Sequence, residues 1–174
     1  MINPEKIKEI TSENQQNQNI NKNNGLKALK ILGCFLQEDG WNPQFIEEKE
    51  AYKINFKSEH GIGIAYAQIL TDLEQFLFYV MMPFKIPEES LNITSEFITR
   101  ANYGLRVGNF EMDYEDGEVR YKTCIDFGGE TLTKGYIKNN AYPALKTMER
   151  YIPGFLSVVY GGKNPKDALA ALEE

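Results

Sequence analysis

Phe110-Glu111-Met112-Asp113-Tyr114-Glu115-Asp116-Gly117-Glu118-Val119-Arg120-Tyr121-Lys122-Thr123-Cys124-Ile125-Asp126-Phe127 is the stretch on which the fold turns. Phe110, Met112 and Tyr114 alternate with acidic residues into Asp116-Gly117, and Val119, Tyr121, Thr123, Ile125 and Phe127 alternate with mostly polar ones out of it. A period of two sends successive side chains to opposite faces of a strand, and Asp-Gly supplies the positive-φ position that a tight reversal needs. The stretch predicts an antiparallel hairpin with one apolar and one wet face. Glu111 and Asp113 fall on the wet face, so the cluster Glu111, Asp113, Glu115, Asp116 and Glu118 needs no ligand to explain it. A calcium loop needs glycine sixth from its first ligand, and counting back from Gly117 puts Met112 there.

Before the hairpin, Leu26, Leu29, Leu32, Phe35 and Leu36 recur at helical spacing and stop at Asp39-Gly40, which predicts a first helix. Tyr52, Ile54 and Phe56 alternate with Lys53, Asn55 and Lys57 as one strand, with a short strand expected ahead of it near Phe45–Glu48. After the turn Ser58-Glu59-His60-Gly61, Ile62–Leu70 continues as strand, and Phe76–Met82, apolar throughout, predicts a central one. Pro87, Glu88 and Glu89 suit a helix start, and Leu91, Phe97, Ile98 and Ala101 form the face of a second helix up to Gly104. Beyond the hairpin, Ile137, Ala141, Leu145, Met148 and Ile152 define a third helical region. Pro143 is expected to kink or break it, and Pro153 to interrupt it again. Gly161-Gly162 is a stop, and Asn164 before Pro165 caps a short last helix over Lys166–Glu174. Helices separated by antiparallel strands predict an α+β fold, a mainly antiparallel sheet with helices on one face.

Asn14–Asn24 is nine-elevenths Asn or Gln, with Ile20 its one apolar residue. Such a tract cannot bury enough surface to offset its ordering entropy, so residues 1–24 are expected to be a disordered tail and 25–174 the folded domain. The tail carries lysines and glutamates in equal number, and the net charge of −6 belongs to the domain. Acidic overall charge argues against a nucleic-acid footprint. No run reaches the length of a membrane span and no signal peptide is read at the N-terminus, so a cytoplasmic protein without membrane contact is expected.

Sites of chemistry are scarce. His60 is the one histidine and reads as a turn residue, which leaves no Ser-His-Asp triad, no Cys-His pair and no His-based metal cage. Cys34 and Cys124 are far apart and read as packed or half-buried thiols. Gly161-Gly162-Lys163-Asn164 fails as a phosphate loop because Ser157 holds the place of the upstream glycine and Asn164 that of the magnesium-binding hydroxyl. Gly61-x-Gly63 has no third glycine, and Asn92-Ile93-Thr94 fits a glycosylation pattern with no secretory context. No catalytic residue, metal site or cofactor is predicted. All four arginines, Arg100, Arg106, Arg120 and Arg150, lie in the C-terminal half. They serve either as intramolecular partners of nearby acids or as anchors for an acidic partner segment.

Phe97-Ile98-Thr99-Arg100-Ala101-Asn102-Tyr103-Gly104-Leu105, then Gly108-Asn109-Phe110-Glu111, Asp116–Thr123, Met148–Gly154 and Asn164–Ala168, resemble the YbjN family, most of all its cyanobacterial branch. The resemblance spans roughly Leu26 to Glu174. It implies the fold of type III secretion chaperones, in the order α-β-β-β-α-β-β-α, a tendency to form homodimers, and a role as sensory regulator or chaperone-like protein without an established reaction. The expected function is therefore non-enzymatic binding of a protein or peptide partner, with Arg100, Asn102 and Arg120 as its polar anchors. The alternative is an enzyme or small-ligand binder whose pocket is assembled from residues distant in sequence.

Overall fold

The computed structural model describes residues 23–59 and 61–173. The expectations for residues 1–22 of the tail and for His60 fall outside the described residues. Asn23 and Asn24, assigned to the tail from composition, are helical, and Asn24 Nδ2 donates to the Glu130 carbonyl at 2.9 Å.

Helix α1 (23–38) ends where Gly40 takes φ of 78°. Its buried stripe is Ala28, Leu32, Phe35 and Leu36, whereas Leu26 is exposed. Then come β1 (Gln44–Ile46), a 3-10 turn (Glu47–Lys49), β2 (Ala51–Ser58), β3 (Gly61–Leu70) and β4 (Gln75–Met81). A second 3-10 turn (Glu88–Ser90) leads into α2 (Leu91–Gly104), followed by β5 (Asn109–Met112), β6 (Val119–Asp126), α3 (Lys134–Val159) and α4 (Pro165–Glu173). The six strands form one sheet in the order β1-β2-β3-β4-β6-β5, every neighbouring pair antiparallel. The α+β class is as expected, and the apolar run at Phe76–Met82 does occupy an interior strand.

The hairpin β5–β6 forms with Met112 opposite Val119. Its reversal is longer than a two-residue turn. The Gly117 amide donates to the Asp113 carbonyl at 2.9 Å, with Gly117 at φ 72°. Gly117 is required twice, since a Cβ there would stand 2.1 Å from the Ile86 carbonyl oxygen, and Ile86 N–H donates to the Gly117 carbonyl.

Pro143 and Pro153 both lie within the continuous helix α3, which corrects the expected break at Pro143 and interruption at Pro153. Both prolines sit on its exposed side, where the carbonyl each leaves unpaired one turn back faces the polar surface rather than the core. The opposite side buries Ile137, Ala141, Ala144, Met148, Tyr151, Ile152, Phe155 and Val158. Thr133 caps the helix by accepting from Tyr136 N–H at 3.2 Å, and Gly162 at φ 64° ends it, as the double glycine predicts. Asn164 caps α4 by accepting from Asp167 N–H at 2.9 Å.

The described helices lie over one face of the sheet, α2 and α3 against the strands, α1 with Gly33 against the Tyr52 hydroxyl, and α4 stacked on α2 and α3. The core between the layers is aromatic. Phe110 meets Tyr121 with ring centroids 4.8 Å apart, and Tyr151 and Phe155 at 5.2 Å each, while Phe97 meets Phe155 at 4.9 Å. At the other end Trp41 meets Phe78 at 6.1 Å and Tyr142 at 5.6 Å, and Asp39 Oδ2 accepts from Trp41 Nε1 at 2.7 Å and from the Tyr142 hydroxyl at 2.5 Å.

Candidate functional site

With the helices on one side, alternate residues of every strand point to a face that no helix covers among the described residues. The strand register sorts them into rows that cross the sheet. One row runs Asn55, Ile64, Met81, Arg120, Glu111, and the next runs Lys53, Tyr66, Tyr79, Lys122, Asn109. A third holds Ala51, Gln68, Leu77 and Cys124. Residues directly opposite on neighbouring strands have Cβ atoms about 5 Å apart, so each row is a continuous strip of side chains.

These rows and the segment after β4 enclose an open groove of about 630 Å³, lined by Lys49, Ile64, Tyr66, Tyr79, Met81, Phe84, Lys85 and Arg120 among others. Its floor is Ile64, Tyr66, Tyr79 and Met81, each half-buried. Neither tyrosine hydroxyl has a hydrogen-bond partner among the described residues. Phe84 closes one end, its ring 6.1 Å from that of Tyr160.

The two flanks of the groove differ in charge pairing. On the hairpin side Glu111 accepts from Arg120 Nε at 2.8 Å and also pairs with Lys122, so one carboxylate serves two cations. The Arg120 guanidinium lies 4.7 Å from the Tyr79 ring centroid. Burial pushes the Glu111 carboxyl up, but the hydrogen bonds and charges of Lys122 and Arg120 outweigh it and hold the group below the ordinary carboxylate range. Lys85 reaches Asp116 at 2.5 Å, a bond that raises the lysine and lowers the acid. On the β2 flank Lys49, Lys53 and Lys57 form no ion pair with any described residue. Gln68 Nε2 donates to the Lys49 carbonyl at 2.8 Å and ties that end of the flank to the sheet.

The three residues singled out from sequence do not converge. Arg120 is in the groove. Arg100 is on the exposed side of α2, where its Nε donates to Glu96 at 2.8 Å. Asn102 has both polar atoms engaged in holding α2 to β5: Nδ2 donates to the Phe110 carbonyl at 3.1 Å, and Oδ1 accepts from Phe110 N–H at 2.8 Å. Asn102 thus satisfies edge groups of the strand beside the helix end, whereas Arg100 is engaged only in an exposed pair within its own helix. Tyr66, Tyr79, Lys49 and Lys53 lacked a local sequence signal as a site, since only strand register brings them together.

Cys34 and Cys124 are surface residues, not packed thiols, because each falls on the outward side of its element. Burial by its neighbours, with Asp126 adding to it, pushes the Cys124 thiol up and away from the reactive thiolate. No group of three or more potential ligands able to hold a metal ion occurs among the described residues, and none of their helices is long and apolar enough to cross a membrane.

The fold is shared with solved structures of low sequence identity. The chain is similar to a chain of the ExsC–ExsE complex (TM-score 0.55, 16% identity, covering 72% of this chain and 91% of that one). It is similar also to YbjN, "a putative transcription regulator from E. coli" (TM-score 0.52, 9% identity, covering 70% and 87%). No curated protein matches the chain. The YbjN family, described as "Putative bacterial sensory transduction regulator", matches residues 29–157, a span that includes every strand and all of α2. With that match over most of its length, and with the α+β sheet-and-helix architecture of the solved E. coli protein, this chain belongs to the YbjN family.

Proposed function

We propose that the chain is a non-enzymatic, chaperone-like regulatory module that docks a protein or peptide segment on the uncovered face of its sheet. The observation that carries this reading is the row structure of that face. Ile64, Tyr66, Tyr79 and Met81 make a half-exposed apolar floor in the middle of a sheet, where a freestanding domain gains nothing from aromatic side chains left open to water. The groove is open rather than enclosed and is lined from residues of β2 across to β6, which suits a chain better than a small molecule. A similar fold recurs in a protein–protein complex, that of ExsC with ExsE. Arg120, with its guanidinium on Tyr79, is the residue of the sequence-predicted set that this surface uses.

The test compares partner capture by the wild-type protein, by Met81→Glu at the groove floor and by Tyr103→Glu on the exposed end of α2. Loss of bound protein with Met81→Glu alone, in a variant that keeps its melting temperature, is the expected result. Equal capture by all three would remove the uncovered face from the function.

We propose further that two copies pair as a homodimer. Among the described residues β1 covers β2 only at Ala51, Tyr52 and Lys53, which leaves the outer edge of residues 54–58 without a described neighbouring strand. Sedimentation equilibrium should return twice the 19.9 kDa chain mass, and a concentration-independent monomer would reject the pairing.

A further inference from the structure

From the arrangement of charge and aromatic groups across the sheet, we infer that the groove takes an acidic polypeptide segment, one with an apolar centre and a carboxylate toward each end. The inference rests on the docking role proposed above and adds the chemistry of the occupant.

The central row reads Lys53, Tyr66, Tyr79, Lys122 across β2, β3, β4 and β6: a cation, two aromatic rings, a cation. The rows beside it do not repeat this pattern, but Lys49 lines the groove near the β2 end and Arg120 and Lys85 line it at the other. The molecule carries net −6, yet this groove is lined by Lys49, Lys85 and Arg120 against the single acid Glu118. Three lysines of the β2 flank have no ion-pair partner among the described residues, and at the far flank Glu111 is divided between Arg120 and Lys122. Cations of this kind keep positive potential over the groove that an incoming carboxylate can use.

The direction of the groove fixes the spacing. It crosses the strands, so the occupant does not extend the sheet by backbone pairing and is held by its side chains. Three inter-strand steps of about 4.8 Å put the flanking cations about 14 Å apart, which an extended chain covers in about four residues. The expected segment has acidic residues about four positions apart and leucine-like or aromatic residues between them, seated on Ile64, Tyr66, Tyr79 and Met81. Single-stranded nucleic acid also stacks on aromatic rings between cations, but the net negative charge of the chain, with Glu111 and Glu118 along one rim, disfavours a long phosphate backbone.

The experiment measures fluorescence anisotropy of labelled peptides on the full chain at low and high salt. The probe has two glutamates four positions apart with leucine and phenylalanine between. Its controls replace the glutamates by lysines, or the apolar residues by serines, and a labelled oligothymidylate forms a further arm. The glutamate–apolar peptide should bind at least about tenfold more tightly than either control peptide, with affinity falling as salt rises. Lys53→Glu should weaken it by about tenfold or more and shift preference toward the lysine peptide, whereas Lys27→Glu on α1 should leave it unchanged. The inference is overturned by equal binding of the lysine peptide, by no binding of any peptide, by tighter binding of the oligonucleotide, or by Lys53→Glu acting only to dissociate a dimer. If Met81→Glu abolishes partner capture while these peptide results fail, the docking face stands and its acidic occupant falls. If Met81→Glu captures normally, the docking face falls first. Should Lys53→Glu not fold, the wild-type peptide comparison decides alone.

Discussion

Asn102 shows how one side chain can look like an anchor for a partner and serve the fold. Its amide accepts from and donates to the same residue, Phe110, and thereby fastens the end of α2 to β5. Removing it leaves the Phe110 N–H of a part-buried strand without its partner and its carbonyl with only the longer bond from Asn109 Nδ2 at 3.4 Å, so Asn102→Ala should cost about 1–3 kcal/mol of stability in urea unfolding. Arg100→Ala, which breaks only an exposed i,i+4 pair with Glu96, should change stability by less than about 0.5 kcal/mol in the same assay. Asp39 is the residue to follow with pH. Hydrogen bonds from Tyr142 and then Trp41 hold its carboxyl below the ordinary range, slight burial opposing them and Lys138 adding to them. A depressed folded-state pKa gives stability that is present above the ordinary carboxylate pKa and lost as pH falls through the folded value. The stability difference between wild type and Asp39→Ala should therefore be largest near neutrality and shrink in acid. An unchanged difference down to strongly acidic pH would show that the link between the end of α1 and α3 does not depend on the ionised carboxylate.

At the scale of elements, the hairpin and helix α3 carry opposite lessons about local sequence. Alternation from Phe110 to Phe127 with Asp116-Gly117 between was enough to place β5 and β6, because both the period and the reversal are local properties. Gly117→Ala would need positive φ and would drive a methyl group into the Ile86 carbonyl, so a loss of about 2 kcal/mol or more is expected in urea unfolding. In α3 the local rule pointed to a break at Pro143, and tertiary packing prevails. Ala141, Ala144, Tyr151 and Phe155 bury one side of the helix across both prolines, while Pro143 and Pro153 face outward. Pro143→Ala restores the missing helical N–H donor, and it should raise stability by about 1 kcal/mol after the added freedom of the unfolded chain is counted. A fall in stability would show that the proline ring fixes a bend the core needs.

On the scale of the whole molecule, the class of fold was legible in the sequence and the docking face was not. Periodicity tells which residues of Tyr52–Phe56 or Val119–Phe127 share a face, and so it identifies the half of each strand that meets the helices. It does not tell that Phe76–Met82, apolar on both sides, is covered by described helices on only one, nor that Tyr66 and Tyr79 stand side by side between Lys53 and Lys122 in their row. Those facts come from register between strands far apart in the chain, and from where the helices end up. The proposed docking face is most directly tested by methyl NMR of the full chain, using methionines as reporters. Met81 lies in the groove, whereas Met112 packs against the core from the helix side and Met148 is buried within it. On titration with the glutamate–apolar peptide, the Met81 methyl resonance should shift progressively while those of Met112 and Met148 hold still. A Met81 signal that does not move, or shifts confined to Met112 and Met148, would contradict docking on the uncovered face of the sheet.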